Sequence, residues 1–316
     1  MWQDKHILNS EHSVSNDYRK ELFDVIEELS KKLSHSELKV LKTKLGLIGK
    51  DRTVESYIQA ATETTVVRYF LKKFPETFRY EPRVNLVNEK NIECQILVNG
   101  NAFNIEVKTP SYSSEAEDKI GIHLSATGRF ENFDEIYSSL KMIYEPGELN
   151  ISKRLDNKLM DFLKSANSKF PKNYPVKHLN ILVVACGDAD DFQNFDNYIE
   201  DEKGFFTSNS YIDHKHFERV DCIVLSNLYY KHSPKFNKMT KESWDFSQAF
   251  NIIYPNPFRK NRESELLNKL YLMIPNYTIE YRKFHKEWIQ KNGIPFYILK
   301  RFVYKELGEK QRKTIF

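Results

Sequence analysis

The sequence predicts a mixed α/β fold, a β-sheet with helices on its flanks, and three observations carry that expectation. Residues 91–110 (NIECQILVNGNAFNIEVKTP) alternate apolar and polar residues on either side of Asn99-Gly100, the pair best suited to a tight type I′ hairpin turn. Residues 179–187 (LNILVVACG) and 220–230 (VDCIVLSNLYY) are short, continuous apolar runs of the kind that form strands buried on both faces. Elsewhere the apolar spacing changes to three and four residues, the period of helices. Strands alternating with helices give a sheet with some parallel pairing.

The elements follow in order. Within residues 14–48, Tyr18, Leu22, Val25, Ile26 and Leu29 recur at helical intervals, and Ser34 or Ser36 caps a second helix through Leu38, Val40, Leu41 and Leu45. Gly46 and Gly49 end it. Thr53 opens a third helix over 54–73 whose broad apolar side holds Tyr57, Ile58, Ala61, Val66, Tyr69 and Phe70, and Pro75 stops it. Residues 78–87 read as a strand, and the two hairpin arms come next. Residues 111–118 are polar and read as a loop beside the hairpin. Residues 132–144 and 152–168 are helical in pattern, as are pieces at 262–273 and 279–291, and 295–304 reads as a strand.

Composition narrows the class. Hydrophobic residues make up 40% and charged residues 29% of the 316 residues, the balance of a soluble globular protein rather than a disordered chain. No apolar run approaches the length of a membrane-spanning helix, and the N-terminus, MWQDKHILNSEHSVSND, lacks the basic-then-apolar order of a signal peptide. Cys94, Cys186 and Cys222 are the only cysteines, each in an apolar run. They read as buried thiols in a reducing, cytoplasmic setting, with no CxxC pair to hold zinc. Residues 259–316 carry 14 Lys/Arg against 6 Asp/Glu, while the rest of the chain is slightly acidic. A basic C-terminal surface suits a phosphate backbone, and equally a solvated face.

The hairpin carries the chemistry. Closed at Asn99-Gly100, it puts Ile96 opposite Phe103 and Cys94 opposite Ile105, with Ile92 and Val107 on the same apolar face. Glu93, Gln95, Asn104, Glu106 and Lys108 share the other face. The same register sets Glu93 directly against Glu106, and opposed carboxylates destabilise a sheet unless a cation lies between them. Lys108 projects on their side. Two acids and a lysine on one face form a site for a divalent metal and an activated water.

The spacing of Glu93 and then Glu106-Val107-Lys108, closing a strand behind an acid-bearing helix, resembles the active-site motif of the PD-(D/E)XK nuclease superfamily, to which many restriction endonucleases belong. The likeness covers about residues 55–110. Glu93 stands where that family usually has Asp, and Ile92 where it often has Pro. The resemblance implies a restriction-endonuclease-like fold: a mixed β-sheet core flanked by helices over 51–235, with an N-terminal helical segment over 1–50 and a basic C-terminal α+β extension over 236–316 packed on the core. It implies a Mg²⁺-dependent endonuclease, with Mn²⁺ able to substitute. Glu93, Glu106 and the Val107 carbonyl would hold the metal, and Lys108 would orient the water and meet developing negative charge. An acid from the preceding helix often joins them. Glu63 takes that part here, with Glu55, eight residues earlier on the same helix, as its competitor. Gln95 would touch a metal-bound water or a phosphate.

What the resemblance implies about substrate is DNA, in restriction or phage defence, acting as a homodimer or with a partner protein. The alternatives are a nuclease for RNA or branched DNA, and a catalytically silent scaffold that keeps the fold. Other groups read as structural. Asp188, Asp190 and Asp191 cap a helix. His214 and His216 lie on a surface loop without further ligands nearby, and His123 is a lone histidine. No Gly-rich phosphate loop and no serine nucleophile elbow is present.

Overall fold

The computed structural model describes residues 14–50, 52–111, 155–172, 176–236, 239–261, 263–293 and 297–307, together with Leu8 and short stretches between 122 and 150. The chain opens with α1 (Asn16–Ser30), whose N-cap Ser15 accepts from the Tyr18 amide and which buries the five apolar residues that its spacing predicts. In α2 (His35–Lys44) Ser34, not Ser36, is the cap, in a reciprocal capping box with Glu37. Thr53 caps α3 (Val54–Lys73), as its position before the apolar run predicts.

The first strand, β1 (Arg79–Tyr80), is far shorter than the 78–87 expected. Glu81 turns the backbone into the left-handed region (φ 42°), and Pro82 has no N–H to give a ladder. The hairpin of β2 (Cys94–Val98) and β3 (Asn101–Lys108) turns on Asn99 and Gly100 with φ of 50° and 75°, the conformation that an Asn-Gly type I′ turn requires. Its register is the expected one for Ile96 with Phe103 and Cys94 with Ile105, but the ladder ends there, so Glu93 is not paired with Glu106 as the extended register would have it. Two short strands, β4 (Ile122–His123) and β5 (Leu149–Asn150), pair in parallel with each other.

After α4 (Leu155–Lys169), β6 (His178–Ala185) lies parallel to β3. Asp188 caps α5 (Ala189–Glu200) in a box with Asp191, and β7 (Cys222–Ser226) pairs in parallel with β6. The strand expected over 220–230 stops early because Asn227 leaves the sheet, its side chain accepting from the Phe250 amide, and α6 (Leu228–His232) follows. β8 (Asn251–Pro255) is antiparallel to β7. The chain continues through α7 (Ser264–Met273), α8 (Thr278–Asn292) and α9 (Ile298–Leu307). The last is a helix where a strand was expected. Its Ile298, Leu299, Phe302 and Val303 recur at three- and four-residue steps and are buried, which a two-residue alternation would not achieve.

The six-stranded mixed sheet, in order β1-β2-β3-β6-β7-β8, separates two apolar cores. Cys94, Ile96, Phe103, Ile105 and Val107 face one, with α1 and α3; Leu182, Val184, Ile223 and Leu225 face the other, with α4, α5 and α9. Ile92 belongs to the second core and not to the face of Cys94, because it precedes the first paired residue of β2. The N-terminal helices share the core of α3, where the Tyr18 hydroxyl bonds both the Tyr57 hydroxyl and His232 Nδ1 at 2.8 Å. Residues 236–316 supply β8 and so complete the sheet as well as covering it. The helix expected over 132–144 and the loop over 111–118 fall almost wholly outside the described residues, as does the His123 side chain. All three cysteines are buried and free. No helix among the described residues is long and apolar enough to cross a membrane.

One buried acid links the fold to pH. Asp221 lies at the start of β7, accepts the Asn180 amide at 2.7 Å, and is pushed by burial up to about 8. Its folded pKa lies above the unfolded value, so the neutral form favours folding. That stability is full below about pH 4 and lost as pH rises through about 8. Asp221→Asn keeps an acceptor for Asn180 and removes the titration. Urea unfolding at pH 5 and pH 9 is expected to show wild type losing up to a few kcal/mol more than the variant between the two.

Candidate active site

The hairpin face opposite Cys94 and Ile105 carries a row of buried polar side chains. Gln95 donates to Asn104 Oδ1 at 2.7 Å, and Asn104 donates to Asn180 Oδ1 at 2.8 Å. These three are paired in register across β2, β3 and β6 and are fully or almost fully buried. The Gln95 amide nitrogen is thus turned to a neighbouring strand.

Glu106 is the next outward residue on this face, completely buried. Two lysines meet its carboxylate. Lys108 Nζ lies 2.8 Å and Lys169 Nζ 2.6 Å from the same oxygen, Oε1. These contacts are ionic in geometry and not hydrogen-bonding, and Oε2 has no hydrogen-bond partner among the described residues. A carboxylate out of water costs several kcal/mol unless paired, which explains why both lysines are turned inward. Lys169 is the last residue of α4, where a cation also faces the negative end of the helix dipole. Sequence reasoning missed it, since a helix-terminal lysine 63 positions after the hairpin acid has no local mark.

Glu93 sits one residue before the ladder, its amide donating to the Ile105 carbonyl at 3.1 Å. Burial pushes its carboxyl up to about 8; the Glu63 and Glu106 charges add to the rise, and Lys44 and Lys169 oppose it. Glu63, on α3, is also buried. It accepts from Gln59 Nε2 at 3.0 Å and from Lys44 Nζ at 3.2 Å. Lys44 closes α2 and reaches Glu81 Oε1 at 2.6 Å and Glu93 Oε2 at 3.9 Å as well. Burial works to lower its pKa, but Glu63, Glu93 and the bond to Glu81 hold the ammonium well above its usual range. Glu55 lies elsewhere: its Oε1 accepts from the Tyr229 hydroxyl at 3.5 Å. Of the two helix acids, Glu63 is the one gathered with Glu93.

The fold therefore brings together Glu63, Glu93, Glu106 and Lys108, from α3, the entry to β2, and β3. It adds Glu81, Lys44 and Lys169. Val107 turns its side chain into the apolar core of α3, so only its backbone carbonyl is open to a site role. The other polar groups behave structurally. Asp188 and Asp191 form their capping box, and His214 stacks on Phe258 at 3.5 Å and bonds the Thr207 carbonyl.

Among the described residues, no group of three His, Cys, Asp or Glu side chains is placed to hold a metal ion by itself. Mg²⁺ asks for less, one or two carboxylates and several waters. The unpartnered Oε2 of Glu106 and the crowded carboxyl of Glu93 are donors of that kind. Comparison with protein-family models, curated proteins and solved structures found no match for this chain.

The Glu106–Lys169 pair can be tested by unfolding. Lys169→Met leaves the buried carboxylate with one cation and is expected to cost about 3 kcal/mol. Glu106→Gln/Lys169→Met, measured in the same double-mutant cycle, should recover most of that loss. Additive losses would mean the two groups do not interact.

Proposed function

We propose that the protein is a Mg²⁺-dependent endonuclease that hydrolyses phosphodiester bonds in DNA. The observation that carries this reading is the carboxylate of Glu106, fully buried between Lys108 and Lys169 and beside the raised carboxyl of Glu93. A solvated hairpin face would expose these groups. Burying them together costs stability, and a carboxyl raised by burial and like charges, as Glu93 is, is typical of functional sites.

Glu93 and Glu106 would hold the metal, with the Val107 carbonyl as a further oxygen. When bound, Mg²⁺ supplies charge neutralisation and an activated water. The chain's own residues do the rest. Lys108, whose side chain is about one-fifth exposed, can point its ammonium at a phosphoryl oxygen and orient the attacking water. Lys169, similarly accessible, fixes the Glu106 carboxylate and adds positive potential. Gln95, through Asn104 and Asn180, stiffens the strands that carry both acids. The exposed cations Arg282, Lys283, Lys286 and Lys291 on α8 offer a phosphate-tracking surface. That helix packs by β8, three strand spacings or about 15 Å from β3, within reach of a duplex lying across the sheet's edge.

Cleavage decides the matter. Wild type, Glu106→Ala and Lys108→Ala would be incubated with plasmid, linear duplex, single-stranded DNA and RNA, in Mg²⁺, Mn²⁺ or EDTA. Metal-dependent cutting of DNA by wild type is expected, with the rate falling at least about 10³-fold in either variant while DNA binding persists. Cutting of RNA alone would move the substrate. DNA binding without cutting in any metal would favour a silent scaffold.

A further inference from the structure

The cation that lies among Glu63, Glu81 and Glu93 belongs to the protein. Lys44 Nζ is 2.6 Å from Glu81, 3.2 Å from Glu63 and 3.9 Å from Glu93, and its side chain is about two-thirds buried. It is held there by its helix. α2 starts in a Ser34–Glu37 capping box, and Leu41 and Leu45, on either side of Lys44, are buried in the core shared with α3. Sites that work with two divalent ions hold them about 3.5–4 Å apart between shared carboxylates. In this site, the carboxylates available to a second ion are Glu63 and Glu81, and the Lys44 ammonium contacts both.

Charge points the same way. Glu63, Glu81, Glu93 and Glu106 meet Lys44, Lys108 and Lys169, four negative groups against three positive ones when all are ionised. One divalent ion turns the deficit of one into an excess of one. A second would add two further positive charges to a largely buried cluster, where Coulomb interactions are poorly screened.

We infer that Lys44 is a built-in counter-cation that fills the helix-acid half of the site, so that the protein binds a single divalent ion, at Glu93 and Glu106. This rests on the metal-dependent reading above. Lys44 acts through the acids it contacts and is a positioning residue. It fixes where Glu63 and Glu81 point and reserves the other half of the site for the ion. In this arrangement the N-terminal helices are part of the site's chemistry and not an appendage to it.

The test is the number of ions bound. The full chain would be titrated with Mn²⁺, free ion being followed by electron paramagnetic resonance and heat by calorimetry. Wild type is expected to bind one ion per chain, and Lys44→Met two. The variant should also melt well below wild type in EDTA and regain most of the difference in Mn²⁺, since bound ions stabilise only the folded state. Two ions in wild type would overturn the inference and leave the nuclease reading standing, without any variant being needed. One ion in a folded Lys44→Met protein would overturn it as well. No ion bound by wild type, together with no cleavage, would instead remove the metal-dependent reading and this inference with it.

Discussion

A carboxylate inside the sheet–helix interface is the constraint on which this molecule is organised. Glu106 has no exposed surface and must be neutralised from within. Its own strand supplies Lys108, and α4 supplies Lys169 from its last residue. A row of buried amides lies on the same face. Gln95, Asn104 and Asn180 hold β2, β3 and β6 side by side with amide–amide bonds in a layer that is otherwise apolar. The sheet changes sense at β3, which pairs antiparallel with β2 and parallel with β6.

The same electrostatic logic extends across the entry to β2. Glu93 is crowded by Glu63 and Glu106, and the crowding is relieved by Lys44. Both interior lysines that come from helices, Lys44 and Lys169, are terminal residues of those helices. A helix C-terminus favours a cation, so each placement satisfies the helix and the acid it meets. Two helices on opposite sides of the sheet thus converge on one end of the hairpin. Stability and the candidate chemistry share the same residues there, as expected where charge is retained in a buried site against its cost in stability.

Local order was legible wherever a rule of short range governs it. Thr53 opening α3, the Asp188 capping box, and the Asn99-Gly100 turn with its register follow from neighbours a few residues apart. The errors share a cause too. Residues 78–87 and 220–230 have strand composition, yet Glu81 with Pro82 and Asn227 turn the chain away. Residues 295–304 are apolar at both periods, and only the packing of α9 on α5 selects the helical one. Ile92 lies just beyond the ladder, where alternation no longer assigns a face.

By itself the sequence determined the mixed α/β class, the hairpin, and the alignment of Gln95, Glu106 and Lys108 on one side of it, because a strand's period of two is a local property; Glu93, like Ile92, lies beyond the ladder. It put Glu63 ahead of Glu55 as the helix acid but could not separate the two well, since eight residues bring a helix back to roughly the same side. The tertiary structure decided that choice by packing α2 against α3, which sets Lys44 between Glu63 and Glu93 and leaves Glu55 with Tyr229. It alone brought in Lys44, Glu81 and Lys169. Nothing in the chain near those residues marks them, because their partners lie across the fold and their pairing arises from the cost of leaving buried carboxylates without a cation.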